Sequence, residues 1–184
     1  MVMASATRLS ADDWIAAGYA RFHDGGLGGV RVEAIARDLG TTKGSFYHHF
    51  ADRAALVAAV MDRWSREETD RFTVEADAAA DPRERLAVLF RAISQRRMPG
   101  EASLYLDAER EGVTDWVRTV TARRVDYVAS ALVELGIETD EARRRAFAAV
   151  GTALGLELLA RGGAGPLMVD RGDMVGSLLR ALTA

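Results

Sequence analysis

The apolar residues between positions 32 and 50 recur at helical spacing, with one interruption. The first group lies at i, i+3, i+4 and i+7 and consists of Val32, Ile35, Ala36 and Leu39. This spacing predicts a helix with one buried stripe. Gly40 then ends the helix and reverses the chain, and Phe46 and Phe50, four residues apart, share the inner face of a second short helix. Two helices around so tight a turn indicate a helix-turn-helix.

Helical patterns also flank this pair. Ser10 and Asp13 predict a capping box at the start of a first helix, with Trp14, Ile15, Gly18 and Phe22 on its inner face, and the glycine-rich run 25–29 ends it. A glycine in mid-helix costs about 1 kcal/mol, so Gly18 predicts close packing against a neighbouring helix. Asp52 is the expected cap of a fourth helix, whose buried stripe is Leu56, Val60, Met61 and Trp64.

The second half of the chain is helical in pattern throughout. Asp81-Pro82 predicts a helix start and Pro99-Gly100 its end; a short helix over 102–110 and a long helix from Thr114 or Asp115 to Gly136 follow. The next helix begins at Asp140, with a stripe of Phe147, Val150, Gly151, Leu154 and Leu158. After a loop at 162–166, the last helix carries Val175, Leu178, Leu179 and Leu182.

These patterns predict an all-α fold of about nine helices. An N-terminal three-helix domain with the helix-turn-helix covers 1–51, a connecting helix covers 52–80, and a C-terminal helical bundle covers 81–184. We find no sustained alternation of period two, which would indicate a strand. With 184 residues, 49% of them hydrophobic and 28% charged, the chain has the composition of a globular protein.

The polar side of the second short helix points to DNA. Tyr47 and His48 project outward, Lys43 and His49 lie at the flanks, and Thr42 can accept hydrogen bonds from the free N–H groups at the helix start. An apolar back and a front of hydrogen-bonding groups suit insertion into a major groove. The alternative interpretation is an ordinary pair of core helices with an aromatic stripe.

The net charge of −3 argues at first against nucleic acid. Even residues 1–64 are neutral, with seven Lys and Arg against seven Asp and Glu. Between Gly40 and Arg53, however, two cations and two histidines stand against Asp52 alone. We therefore expect a local positive strip and a salt-sensitive affinity for DNA, with a modest salt dependence per subunit.

Other function classes find little support. Asp107, Glu109 and Glu111 are spaced by two, so on a helix they do not form a paired carboxylate site. The adjacent pair His48-His49 has no Cys or HExxH pattern beside it and is a poor metal site. The chain has no cysteine, no apolar run of the roughly 18–20 residues that cross a bilayer, and no leader-like apolar segment in its first ten residues. We expect a cytoplasmic protein that is not an enzyme and holds no cofactor or metal.

Residues 10–64 resemble the N-terminal domain of the tetracycline-repressor (TetR) family of transcriptional regulators. The residues that carry the resemblance are Phe22, Gly26, Ile35, Ala36, Gly40, Tyr47, His48, His49, Phe50, Arg53 and Leu56. The region that resembles the family, residues 10–64, covers about a third of the chain. The family's fold agrees with the helix count derived above from the patterns.

The resemblance implies a DNA contact for each matching residue. Base reading falls to Thr42, Lys43, Gly44 and Ser45, and phosphate or base-edge contacts to Tyr47, His48 and His49. Arg53 matches a basic residue that opens the next helix and contacts a phosphate. The chain departs from the family at Val30-Arg31, where the family usually has a threonine or serine at the start of helix 2. A hydroxyl cap is therefore missing there; Arg31 could contact the phosphate by charge, without replacing the cap.

For the C-terminal bundle, the resemblance implies a homodimer and a small-molecule effector of unknown identity. A dimer is also physically required, because one recognition helix reads only a few base pairs. The candidate dimer face is Phe147, Val150, Gly151, Leu154, Gly155, Leu158, Leu178, Leu179 and Leu182. The candidate effector pocket is Trp64, Phe90, Met98, Leu104, Tyr105, Trp116 and Tyr127. For both sets the alternative is that the residues form the subunit's own core.

The sequence thus favours a ligand-responsive transcriptional regulator, in this family usually a repressor. It would bind double-stranded DNA at a palindromic operator as a dimer and be released by its effector. The alternative is a DNA-binding dimer without a ligand response, constitutive or architectural. Both hypotheses need the helix-turn-helix, and they differ only in what the bundle does.

Overall fold

The computed structural model describes residues 9–95, 99–164 and 171–184, and within them it has nine α-helices and no strand. Helices α1 to α4 are Ala11–Gly25, Val32–Asp38, Lys43–Phe46 and Arg53–Asp77. Helices α5 to α9 are Pro82–Gln95, Pro99–Asp107, Thr114–Glu134, Thr139–Leu159 and Arg171–Thr183. The predicted all-α fold is confirmed.

The start of α1 and its packing against α4 follow the predictions. The Asp13 N–H donates to Ser10 Oγ at 3.3 Å and the Ser10 N–H donates to Asp13 Oδ2 at 2.7 Å, so the capping box is formed. A Cβ built on Gly18 would lie 3.0 Å from Cγ2 of Val60, which explains the mid-helix glycine by close packing. Asp52 caps α4 by accepting the Ala55 N–H at 2.8 Å.

One hydrophobic core holds the first four helices together and reaches into the second half of the chain. From α1 to α4 it contains Trp14, Tyr19, Phe22, Leu27, Val30, Val32, Ile35, Ala36, Phe46, Leu56, Val57, Val60, Met61 and Trp64. From α6, α7 and the loop between them it contains Leu104, Ala108, Val113 and Val120. We call this cluster the N-terminal core. Residues from 104 onward therefore complete the core into which Phe46 of α3 packs.

A second cluster, the C-terminal core, lies among α5, α7, α8 and α9 and includes the end of α4. Its buried residues are Ala76, Leu86, Leu89, Phe90, Val125, Val128, Ala131, Leu132, Ala142, Ala146, Ala149 and Leu182. The buried residues of α8 are all alanines, and α8 packs along α7. Small side chains at this contact let the two helix axes approach closely.

The inner face of α8 therefore differs from the predicted stripe. Phe147 is 65% exposed and Leu158 is also exposed, whereas Ala142, Ala146 and Ala149 are buried. The predicted stripe is one of two apolar stripes on this helix, and the alanine stripe that faces α7 was not predicted. The larger side chains attract attention in the sequence, but the smaller ones fit the narrow contact with α7.

The boundary before α6 also needs correction. Pro99 and Gly100 begin α6 rather than ending α5, and α6 ends at Asp107, not at residue 110. Proline is tolerated in the first turn of a helix, where its missing N–H would have no partner within the helix. Gly100 is required by packing, since a Cβ there would lie 1.6 Å from the carbonyl oxygen of Phe22.

Helical structure continues further after α8 than the sequence predicted. A wider helical turn continues through Ala160–Ala164, and Gly163 leaves the helical conformation with a φ of 88°. The predicted loop at 162–166 thus begins within this turn, and its last two residues lie outside the described part of the chain. At the other end of α8, Glu138 caps the helix by accepting the N–H groups of Asp140 and Glu141 at 2.9 and 3.0 Å.

Candidate nucleic-acid interface

The recognition helix is positioned by the ring of Phe46. This side chain is fully buried, stacks on Phe50 with ring centroids 5.5 Å apart, and meets the edge of Trp14 at 5.3 Å. The helix itself is short, Lys43–Phe46, and turns continue it through hydrogen bonds from the N–H groups of His49 and Phe50 to the carbonyl of Phe46. Because Phe46 is fixed from behind, the opposite side of the helix faces outward.

That outward side carries most of the predicted DNA-contacting residues. Thr42, Lys43, Gly44 and His48 are exposed, and Tyr47 is 56% exposed although its ring packs edge-on against Phe46 at 5.2 Å. Ser45 and His49 are half-buried at its margins. The structure therefore brings these seven residues together on one accessible surface, which we call the recognition face.

The predicted hydroxyl cap at Thr42 is not formed. Thr42 has the extended backbone of an N-cap residue, but its side chain accepts no hydrogen bond from the helix start. Its carbonyl instead accepts the Ser45 N–H at 3.0 Å. The hydroxyl group stays on the recognition face, close to the position where a Cβ on Gly44 would be, 3.5 Å away. The N–H groups at the start of α3 therefore donate no hydrogen bond to the Thr42 side chain.

Lys43 is engaged by a carboxylate on the neighbouring helix. Its Nζ donates to Oε1 of Glu33 at 2.6 Å, and both side chains are more than half exposed. The hydrogen bond from Lys43 lowers the pKa of Glu33 and raises that of Lys43. Exposed pairs of this kind contribute about 0–1 kcal/mol, so a phosphate oxygen can displace Glu33 at small cost.

The guanidinium group of Arg53 donates hydrogen bonds to three acceptors within the protein. Its Nε donates to the carbonyl of Val30 at 2.8 Å, and its Nη2 donates to the carbonyl of Leu27 at 2.6 Å and to Oε2 of Glu111 at 2.9 Å. The guanidinium thus joins the start of α4 to the loop before α2 and to the loop between α6 and α7. A phosphate contact by Arg53 remains a prediction, and it would have to compete with these bonds.

Arg31 lies on the surface at the start of α2. It occupies the N-cap position with an extended backbone and an exposed side chain, and no side chain caps the helix. The missing cap that Val30-Arg31 indicated is confirmed. Arg31 is therefore open to solvent beside the recognition face, and its role toward phosphate remains a prediction.

Two acidic residues of this region escaped the sequence analysis. Glu33 pairs with Lys43 from another helix, and Glu111, whose side chain is largely buried, pairs with Arg53 across 58 positions. Neither separation has a helical period that a sequence pattern could reveal. In the sequence Glu111 stood out only as part of an acidic triplet, whereas in the structure it connects the loop between α6 and α7 to the start of α4.

A further contact joins α4 and α7. The indole Nε1 of Trp116 donates to Oδ1 of Asp62 at 2.8 Å. Together with Arg53–Glu111 and the close approach of Gly100 to Phe22, it makes three polar or steric ties between the two halves of the chain. These contacts connect α6, α7 and the loop between them to α1 and α4.

The predicted effector residues are distributed over several places. Trp64 and Leu104 are fully buried in the N-terminal core. The hydroxyl of Tyr105 lies 3.0 Å from Thr121 Oγ1, and burial raises the pKa of Tyr105. Trp116 bonds Asp62, as described, and Met98 lies outside the described residues.

Tyr127 and Phe90 lie nearer the other end of the bundle. The hydroxyl of Tyr127 donates to Asp77 Oδ1 at 2.7 Å, and burial together with this bond raises its pKa. Phe90 lines a cavity of about 360 Å³ among α5, α8 and α9, and among the described members of the predicted set it alone does so.

The predicted dimer residues divide into exposed and buried members. Phe147 and Leu158 are exposed on α8, and at Gly151 and Gly155 an added Cβ would meet nothing within 4 Å. Val150, Leu178 and Leu179 pack partly against the C-terminal core, and Leu154 is half-buried. Leu182 is 4% exposed and belongs to that core. The exposed members lie on one face of α8.

No set of three His, Cys, Asp or Glu residues that could hold a metal ion occurs in the described residues. In the same part of the chain, no helix is long and apolar enough to cross a membrane.

Comparison with known proteins agrees with this geometry. Residues 15–60 match the family model of the bacterial regulatory proteins of the tetR family, a range that runs from α1 into α4 and contains the recognition helix. No curated protein matches the chain in sequence.

Several solved structures share the fold over nearly the whole chain. The reduced form of NemR from E. coli is 16% identical, with 95% of this chain and 97% of that one covered and a TM-score of 0.78. A putative TetR-family transcriptional regulator from Rhodococcus sp. is 21% identical, with coverages of 94% and 95% and a TM-score of 0.69. FadR from Bacillus subtilis, in complex with stearoyl-CoA, is 16% identical, with coverages of 95% and 98% and a TM-score of 0.66. Residues 15–60 of this chain are therefore similar to the bacterial regulatory proteins of the tetR family, and the described chain shares the fold of the solved TetR-family structures.

Proposed function

We propose that the chain is a transcriptional regulator that binds a palindromic DNA operator as a homodimer, represses transcription there, and is released by a small-molecule effector. The observation that carries the proposal is the recognition face. Hydroxyl, imidazole, phenol and ammonium groups are exposed together on a short helix whose back is fixed by buried Phe46. Such a surface suits base edges and phosphates in a major groove.

The local charge supports DNA as the partner. Lys43 is the single lysine of the chain and lies on the recognition face, and Arg31 and Arg37 are exposed on the adjacent α2. Glu33, which holds Lys43 in the free protein, is exposed and hydrogen-bonded at one oxygen. A phosphate oxygen that replaces this carboxylate would make a comparable charge-assisted hydrogen bond.

The exposed face of α8 supports the homodimer. Phe147, Leu158 and Leu159 are exposed large apolar residues on this helix, and Gly151 and Gly155 would allow a second helix to approach closely. Isologous packing of this face with its copy would bury the apolar side chains and place two recognition helices on one DNA duplex.

An effector site is supported by the cavity among α5, α8 and α9 and by FadR, a structural neighbour that was solved with stearoyl-CoA. A ligand that binds better to one separation of the two recognition helices than to another would shift the dimer toward it. The second candidate function, a DNA-binding dimer without ligand response, is favoured by the dense packing around Trp64 and Leu104, both fully buried.

The first experiment removes exposed groups from the recognition face. Tyr47→Ala is expected to weaken operator binding roughly tenfold and to leave the oligomeric state unchanged, because the side chain contributes little to the core. Binding would be measured by fluorescence anisotropy on palindromic sites from the DNA that flanks the coding region. Tyr47→Ala binding as tightly as the parent would refute the assignment of the recognition helix.

The pair Lys43 and Glu33 gives changes of opposite sign. Lys43→Ala should lower operator affinity and reduce the salt dependence by about one ion per subunit. Glu33→Gln should raise the affinity, because it frees Lys43 and removes an anion beside the phosphates. If Lys43 had only a structural role, the two variants would change affinity in the same direction.

The dimer is tested on the exposed face of α8. Phe147→Asp is expected to give monomers in analytical ultracentrifugation and to weaken operator binding, since it puts a charge into an apolar contact. Leu106→Asp is the matched control, because Leu106 is a 74% exposed apolar residue on α6. A Phe147→Asp dimer as stable as the parent's would exclude this face as the interface.

A further inference from the structure

The cavity among α5, α8 and α9 has a mostly apolar surface, with Ser94, Thr152 and Ser177 among its polar lining residues. Phe90 and Ile93 come from α5, Leu156 from α8, and Val175 and Leu178 from α9. Its volume of about 360 Å³ lies within the range of about 300–1,000 Å³ that is usual for small-molecule sites. The walls thus suit an aromatic or aliphatic body of moderate size.

Two carboxylates are the ionisable groups that line this cavity. Glu157 lies on α8 and is half-buried, and Asp173 lies in the first turn of α9 and is exposed. Among the described residues, no lysine, arginine or histidine lines the cavity with them. Neither carboxylate makes a hydrogen bond or ion pair with any residue that the structure describes.

Other carboxylates of the bundle are paired with arginines. Glu134 pairs with Arg85, Asp126 with Arg143 and Glu141 with Arg145. The chain has 23 arginines, so its composition does not explain why Glu157 and Asp173 have no arginine partner among the described residues. Both of these carboxylates line the cavity.

We propose that this cavity binds an organic cation, with an aromatic or aliphatic body against Phe90, Ile93 and Leu156 and an amine or quaternary ammonium group beside Glu157 and Asp173. The body would gain from removal of apolar surface from water, about 25 cal/mol per Å². The cation would find two carboxylates and no cationic side chain among the described lining residues. The guanidinium of Arg180, on the same helix as Asp173, donates to Ser177 at 2.9 Å. An anion of the same shape would be repelled by both carboxylates.

The location gives such a ligand a route to the DNA-reading end. Helix α5 packs against α9 on one side and against α4 on the other, and α4 carries Arg53 at its start. A ligand between α5 and α9 would change the position of α5 against α4. This step, from binding to release of DNA, rests on the ligand response in the proposed function, whereas the binding itself does not.

The test uses three probes with the same phenylbutyl body and different charge: phenylbutyltrimethylammonium, 4-phenylbutanol and 5-phenylpentanoate. Binding to the full-length protein is measured by isothermal titration calorimetry without DNA. We expect the cation to bind at least about tenfold more tightly than the alcohol, and the carboxylate to bind more weakly than either. Equal affinities for the three probes would overturn the proposal.

Variants then locate the site. Glu157→Gln should weaken binding of the cation about tenfold and leave the affinity for the alcohol within about twofold, because only the charge is removed. Asp173→Asn should act in the same direction with a smaller effect, since Asp173 is more exposed. Glu75→Gln on α4 is the matched control, being an exposed carboxylate outside the cavity. Loss of cation affinity in Glu75→Gln equal to that in Glu157→Gln would refute the site.

A filling variant tests the cavity independently of charge. Ala153→Leu adds bulk at a lining position and should weaken the cation and the alcohol alike. Its melting temperature is measured alongside, so that a folding defect is recognised. Unchanged binding of both probes in a folded Ala153→Leu protein would place them elsewhere and overturn the proposal.

Operator binding in the presence of the cation separates this inference from the proposed function. If the cation binds in a Glu157-dependent way and releases the operator, both are supported. If it binds in that way and the operator stays bound, the site stands and this ligand is not the effector. If the cation does not bind while the operator does, the site is refuted and DNA recognition is untouched.

Discussion

The two hydrophobic cores of this molecule are built from different side chains. The N-terminal core contains four of the largest fully buried residues, Trp14, Phe22, Phe46 and Trp64, with ring centroids 5.3 Å apart for Trp14 and Phe46 and 6.4 Å apart for Phe22 and Trp64. In the C-terminal core, α8 contributes only alanines to the buried interior. The first core is filled largely by aromatic rings, whereas in the second core α8 packs through alanines against larger side chains from α5, α7 and α9.

This difference matches the two tasks of the proposed regulator. Interlocking rings hold the recognition helix in one orientation, as a DNA-reading surface needs. Alanine packing between α7 and α8 leaves the larger apolar side chains of α8, such as Phe147 and Leu158, on the outside, and α5, α8 and α9 enclose a cavity. The surfaces left over in the second core are those that a partner and a ligand could use.

Removal of a ring from the N-terminal core should have the largest effect. Phe46→Ala is expected to cost about 3–5 kcal/mol of unfolding free energy, because the ring is fully buried against Trp14 and Phe50. Chemical denaturation would measure it, with the exposed neighbour Tyr47→Ala as control at about 1 kcal/mol or less. Similar losses for the two variants would mean that the rings do not have the separate roles described.

Forcing apart the contact between α1 and α6 should have the next largest effect. Gly100→Ala places a Cβ 1.6 Å from the Phe22 carbonyl oxygen, so a backbone segment must move. We expect a loss near the upper end of overpacking effects, about 3 kcal/mol, in the same denaturation assay. Gly28→Ala, where an added Cβ meets nothing within 4 Å, should stay close to the parent. A parent-like Gly100→Ala protein would show that the first core does not depend on α6.

The ion pair that joins the two halves should have a smaller effect. Arg53→Ala removes two hydrogen bonds to carbonyls and the bond to Glu111 and is expected to cost about 2 kcal/mol. Glu111→Gln keeps a hydrogen-bond acceptor and should cost less. Denaturation at low and high salt would separate the charge contribution. If Arg53→Ala leaves stability unchanged but weakens operator binding, Arg53 acts mainly on phosphate.

The smallest predicted effect concerns the helix caps, one in each region. Hydrogen bonds from Ser10 lower the pKa of Asp13 at α1, and backbone N–H groups of Asp140 and Glu141 lower that of Glu138 at α8. Because both folded-state pKa values lie below the unfolded ones, each cap stabilises the protein above its unfolded pKa and loses this contribution as pH falls through the folded pKa.

Glu138→Gln therefore should lower the melting temperature slightly near neutral pH. The difference from the parent should shrink as pH falls below the ordinary glutamate pKa of 4.5. Melting curves over this pH range would measure it. A difference that stays constant across the range would show that charge is not involved in the cap.

Much of the fold could be predicted from local patterns. The capping box of Ser10 and Asp13, the cap at Asp52 and the close packing at Gly18 depend on neighbours within a few residues or on simple steric limits, and the structure confirms each. The ends of helices were harder to predict from the sequence. Pro99-Gly100 is compatible both with the end of one helix and with the start of the next. In the structure it is the start of α6, where Gly100 packs against the backbone of Phe22.

The candidate site was predictable in kind and only partly in detail. Spacing alone placed Phe46 inside and Tyr47 outside, as the structure has them. It could not place Arg53, whose guanidinium is held by carbonyls of Val30 and Leu27 and by Glu111, because these partners are brought together by the arrangement of three separate segments.

The sequence by itself determined most of the helices, the caps at Ser10 and Asp52 and the polar face of the recognition helix, because each depends on residues within one or two helical turns of each other. Only the tertiary structure decided which of two apolar stripes on α8 is buried and where a cavity remains that is lined by two carboxylates with no partner among the described residues. Those outcomes depend on the distance between helices that are far apart in the chain, and on side-chain volumes that fill or fail to fill the space between them.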